Sequence, residues 1–127
     1  MKTELEKILV KKYPKIFRDY HGDMMETCMA WGMSCGDGWF NLIDTLCGSI
    51  QGMIDNNPHL KIPQVVASQV KEKFGGLRFY FSGGDDYISG MVSFAESISM
   101  TICEACGKPG KISNKGWITV RCDDCKT

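Results

Sequence analysis

Seven cysteines stand in this chain of 127 residues, and four of them form two Cys-x-x-Cys pairs in "CEACGKPGKISNKGWITVRCDDC". Thiolates at that spacing suit a tetrahedral metal centre. A tight turn puts both sulfurs of a pair on one side of an ion, and zinc accepts four of them at about 2.3 Å. The whole pattern, C-x2-C-x15-C-x2-C over Cys103, Cys106, Cys122 and Cys125, falls within the spacing of structural zinc sites and predicts one structural Zn2+. Four thiolates also close the coordination sphere, which argues against a catalytic zinc holding water. Redox thiols are the competing use, but two pairs framing a hairpin-like segment favour the metal. Gly107 and Pro109-Gly110 supply turn positions, and "KISNKGWITVRC" reads as two short strands about Asn114-Lys115-Gly116, with Trp117, Ile118 and Val120 available for packing. That is a zinc ribbon, too poor in large apolar side chains to fold without its ion.

The other three cysteines offer less. Cys35 precedes a helix start in "MSCGDGW", where a lowered pKa and the nearby His21 and Asp37 sketch a nucleophile. The commoner fate of Cys28, Cys35 and Cys47 is that of small buried hydrophobes. The same glycine-rich loop suggests a ligand site with Trp39 as a stacking surface, whereas Asp37 there opposes an anion and reads better as a helix cap. In "QVKEKFGGLRFYF", Lys71, Lys73, Arg78 and Tyr80 interleave cations with aromatics, a pattern that grips nucleic acid or simply keeps a hairpin soluble. A second basic cluster, "KKYPKIFR", has the same two uses.

The elements that position these groups predict an α+β fold: helices plus a β-hairpin with a C-terminal zinc ribbon. Helices are expected at about 3–13, 38–55 and 86–100 and a hairpin at about 65–82, together a scaffold over 1–100, followed by the ribbon over 101–127. Thr3 is placed to cap the first helix, with Leu5, Ile8, Leu9 and Lys12 on one face and Pro14 ending it. In the second, Trp39, Leu42, Ile43, Leu46, Ile50 and Met53 trace an apolar stripe that Asn56, Asn57 and Pro58 stop. Gly75-Gly76, between β-branched and aromatic runs, predicts the hairpin turn, and "GGDD" a second one. The third helix turns Ile88, Met91, Val92, Ala95 and Ile98 inward, with Gly90 costing about 1 kcal/mol relative to alanine.

Composition bounds the function. Fifteen basic residues balance fifteen acidic ones, so no global field draws the chain to nucleic acid or anionic lipid. Uncharged stretches reach only ten residues, as in "TCMAWGMSCG", too short and glycine-rich to span a bilayer, and the charged amino terminus lacks the apolar core of a signal peptide. A reducing cytoplasm is the expected location, where cysteines are thiols or metal ligands. Eight methionines, five of them between 24 and 53, serve a core or an adaptable surface.

At "GDGWFNLIDTLC", "QVKEKFGGLRFYF" and the terminal "CEACGKPG…GWITVRCDDC", roughly residues 35 to 125, the chain resembles a group of small proteins encoded by bacteriophages and prophages. Many of that group end the last pair with Cys-x-x-His, and Cys125 is an equally good ligand. The resemblance implies a phage origin and a zinc, carries over no catalytic residue, and suggests a protein that binds and disables a host protein or a host immune signal, a small signalling nucleotide among them. The leading expectation is therefore a zinc-stabilised, non-enzymatic binding protein. The alternative is a nucleic-acid-binding ribbon decorated by Lys108, Lys111, Lys115, Arg121 and Lys126, although Glu104, Asp123 and Asp124 offset three of those charges. A small enzyme using Cys35 or a nucleotide at the glycine loop is the third. Periodicity does not separate core from a homo-oligomer interface.

Overall fold

Apolar spacing produces three helices, and the computed structural model, which describes residues 1–21 and 28–126, packs them with two small sheets as an α+β fold. Helix α1 (Thr3–Lys12) has Lys2, not Thr3, at its N-cap, and no side chain caps it. Its inward face differs from the expected stripe: Glu6 and Leu9 are buried, while Ile8 is 46% exposed. A carboxylate can take the inward position because it is paired. Glu6 accepts the Tyr20 hydroxyl at 3.0 Å and the Met33 amide at 3.2 Å.

A 3-10 turn (Asp37–Trp39) leads into α2 (Phe40–Asn56), which buries Ile43, Leu46, Cys47 and Ile50. Asn57 ends it by donating from its side chain to the Met53 carbonyl at 3.0 Å, satisfying one of the last unpaired acceptors. The principal sheet is β1 (Met33–Ser34), β2 (Val66–Lys73) and β3 (Gly76–Ser82) in that order, β1 parallel and β3 antiparallel to β2. The hairpin turn lies one residue earlier than the glycine pair suggested. Lys73 pairs with Gly76, so Phe74 and Gly75 form the loop, with φ of 52° and 86°. Two positive φ values are what a type I′ turn requires to follow the strand twist. Glu72 fixes it by accepting the Gly75 amide at 2.7 Å.

Helix α3 (Asp86–Ser99) is capped by Asp85, whose carboxylate accepts the Ile88 amide at 3.1 Å. It covers the outer edge of β3. Ser99 Oγ accepts the Leu77 amide at 2.9 Å, and Glu96 accepts the Phe79 amide at 2.9 Å, so two edge donors are satisfied by side chains instead of another strand. The core between sheet and helices is built on Leu9, Phe17, Trp39, Ile43, Ile50, Val70, Leu77 and Ile88. The chain ends in the antiparallel pair β4 (Lys111–Ser113) and β5 (Thr119–Arg121), the ribbon hairpin. Among the described residues, no helix is long and apolar enough to cross a membrane.

Candidate metal centre

Each Cys-x-x-Cys segment curls through its own backbone. In the first, the Gly107 amide donates to the Cys103 carbonyl at 2.8 Å, with Gly107 at φ 86° where a side chain would be strained. In the second, the Cys125 and Lys126 amides converge on the Cys122 carbonyl at 3.2 and 3.1 Å. The β4–β5 hairpin brings the two turns together, and the sulfurs of Cys103, Cys106, Cys122 and Cys125 all lie within 4.8 Å of one another. Cys106 and Cys122 are 3.5 Å apart. Sulfurs on a tetrahedron of ~2.3 Å bonds stand about 3.8 Å apart. The four cysteines therefore form a group that can hold one metal ion with little rearrangement.

Electrostatics in the cluster suit a cation. Burial opposes ionisation of Cys103, yet the amides of Cys122, Cys106 and Ala105 pull its thiol down to about 6. Cys125, beside the Cys122 thiol and then the Cys106 thiol, is pushed up to about 12. The Lys108 amide favours the Cys106 thiolate, but desolvation and the Cys122 thiol outweigh it and raise that group too. One thiolate is thus favoured by the backbone, and a bound divalent cation would supply the counter-charge that lets the others ionise. All-sulfur ligation selects a soft or borderline ion and leaves no open position.

The glycine loop ahead of α2 exists to receive this module. The Gly38 amide donates to the Glu104 carbonyl at 2.7 Å, and the Gly36 amide to the Glu104 carboxylate at 2.8 Å. A Cβ on Gly38 would overlap the Cys103 carbonyl oxygen, and one on Gly36 the Glu104 carbonyl oxygen. Arg121 reaches the other Glu104 oxygen at 3.3 Å, so this buried acid ties β5 to the scaffold. Trp39 is fully buried beneath the same turn, donating from Nε1 to the Ile102 carbonyl at 3.1 Å, and presents no face to a ligand. Asp37 caps no residue of its own helix. It accepts the Lys2 amide at 2.7 Å and stands 3.8 Å from Lys2 Nζ, pinning the start of α1.

Cys35 is not a poised nucleophile, because burial pushes its thiol up to about 12. Cys47 is buried in the core, as packing predicts, whereas Cys28 is exposed. The side chain of His21, and Met24 and Met25, lie outside the described residues. On the hairpin, the register sets Lys71 opposite Arg78 and Gln69 opposite Tyr80. Lys71, Lys73, Arg78 and Tyr80 therefore share the face opposite Val70 and Phe79. On the ribbon, Lys108, Lys126 and Arg121 are paired with Asp124, Asp123 and Glu104, which leaves Lys111 and Lys115.

Sequence reasoning passed over Phe74 and counted Trp117 as packing. Both are exposed, by 68% and 83%, and with Gly116, Ile118, Glu72 and Lys73 they bound a mostly apolar cleft of about 380 Å³ between the two hairpin tips. Only the fold could reveal this, because forty-odd residues separate the two rings and Ile118 meets Gly75 to close the gap. Comparison with protein-family models, with curated proteins and with solved structures gives no match to this chain.

Proposed function

We propose that this is a zinc-stabilised, non-enzymatic binding protein of phage origin, which antagonises a cytoplasmic host protein by docking it at the cleft between Phe74 and Trp117. The observation that carries this reading is Phe74. A bulky residue at φ 52° costs roughly 1–2 kcal/mol that asparagine or glycine would avoid. Its ring recovers little by burial, since it stands mostly in solvent near the still more exposed Trp117, with the Lys73 ammonium 5.8 Å from its centre. Strain held at an exposed aromatic tip suits recognition better than it suits a turn. The zinc would act at a distance, by fixing the ribbon that presents Trp117. A protein fits the cleft better than an anionic signal does, because the lining is mostly apolar and its two charged groups, Glu72 and Lys73, offset each other. The test is a photo-crosslinking amino acid at position 117 of the zinc-loaded protein, expressed in host cells beside a control label at the exposed Lys61. A protein adduct formed from 117 alone, and weakened by Phe74→Ala, supports the reading. Equal labelling from both positions overturns it.

A second reading rests on the hairpin face, where Lys71 and Arg78 face each other without an acidic partner among the described residues and Tyr80 is exposed beside them. Cations with an aromatic on one open surface suit single-stranded nucleic acid. Binding to an oligonucleotide that weakens steeply with salt, and with Lys71→Ala, would favour it.

A further inference from the structure

All fifteen lysines and arginines lie outside residues 40–60 and 79–107, the stretches that hold α2 and α3, and the carboxylates on these helices, Asp44, Asp55, Asp86 and Glu96, do not line the face between them. Where these helices pack side by side they leave an open groove of about 440 Å³, walled by Leu42, Leu46, Met91, Phe94, Ala95 and Ile98. Its rim is Asn41, Thr45 and Ser49, polar but unionised. On the wall of the groove Phe94 projects 69% exposed into solvent. A protruding ring and an apolar recess thus occur on one face, with no charge between them.

We propose that this face binds a second copy of the chain, as a two-fold symmetric dimer in which Phe94 of each protomer enters the other's groove. An isologous interface must be complementary to itself, so knob and hole have to lie on the same patch. A foreign partner of either charge would find no counter-charge here, whereas an uncharged face meets its own image without repulsion. Depletion of charge around an aromatic centre is the composition of homodimer interfaces. The size reaches the lower bound of a specific interface, about 1,000 Å² over both partners. Helices of 17 and 14 residues are about 25 and 21 Å long, and side by side they project on the order of 500 Å² before side-chain relief is counted, against about 800 Å² per partner in a standard interface.

Sedimentation equilibrium of the zinc-loaded, reduced protein over a wide concentration series tests this. The expected species is about 28 kDa, twice the 14.2 kDa chain. Phe94→Glu on α3 and Thr45→Arg on α2 each place an unpaired charge in the interface and should raise the dimer dissociation constant at least ten-fold. Both positions are exposed in the single chain, so each variant should keep the parent's far-ultraviolet spectrum. Phe74→Glu, an equally exposed aromatic on another surface, should leave the dimer unchanged. A monomer at every concentration, or a dimer indifferent to both groove variants, overturns the proposal.

Discussion

One substitution, glycine to alanine, should have opposite signs at two positions of this chain. At Gly38 the added Cβ would overlap the Cys103 carbonyl oxygen and lie 2.6 Å from both the Glu104 oxygen and the Gly107 nitrogen. All three are backbone atoms of the metal-binding turn, so no side chain can rotate away and the turn must retreat. Retreat breaks the hydrogen bonds from Gly38 and Gly36 to Glu104 and from Trp39 to Ile102. At ~1 kcal/mol net for each of three bonds, Gly38→Ala should cost about 3 kcal/mol. For a domain of this size that lowers the thermal midpoint by roughly 10 °C. At Gly90, inside α3, a Cβ meets nothing within 4 Å. Gly90→Ala should therefore gain about 1 kcal/mol of helix propensity and raise the midpoint by about 3 °C. The assay is calorimetry of both variants with saturating zinc, so that metal loss does not contribute. A Gly38→Ala midpoint within a degree or so of the parent would refute the docking of the ribbon on the glycine loop.

Metal analysis should find one zinc per chain. Its removal by chelator should lower the midpoint at least as far as Gly38→Ala does, because a collapsed ribbon surrenders the same contacts; Cys106→Ser should prevent loading. Ser99→Ala strands the buried Leu77 amide at the edge of β3 and should cost about 1–3 kcal/mol by urea unfolding, more than its lost volume accounts for. Asp44 is held below its ordinary 3.8 by the Lys12 ammonium and then the Tyr13 hydroxyl, at 2.7 and 2.6 Å. A depressed carboxylate stabilises the fold above its unfolded pKa and loses that contribution as pH falls through the folded one. The parent should therefore lose stability below about pH 4 more steeply than Asp44→Asn, in urea titrations across that range.

The four-cysteine cluster was legible in the sequence because its information is local: two turns, each closed by an amide four residues on, at a spacing one ion can bridge. The helices were legible for a related reason, since an apolar period acts within a few turns, although the caps expected at Thr3 and Asp37 are not made. What escaped depends on approach between distant segments. "GDG" looks like a ligand loop until the Cys103–Gly107 turn is laid against it. Glu6 interrupts an apolar stripe and is inward only because Tyr20 and Met33 reach it. The two residues of β1 are too few to show any alternation. The hairpin turn shifted by one because Phe74, an ordinary strand residue by propensity, takes the left-handed conformation there.

The covering of β3 by Ser99 and Glu96 governs how other chains can meet this sheet. Extended peptides commonly join a sheet by lending it another strand, backbone to backbone, and so do fibril-forming segments. Here two of the amides that such a visitor would use are already occupied by helix side chains, and the opposite edge ends in a strand of two residues. A partner of the kind proposed would then have to be met through side chains such as those of Phe74, Trp117 and Phe94, whose identity selection can change one at a time. Changes at those positions leave the covered edge of β3 closed to templated aggregation.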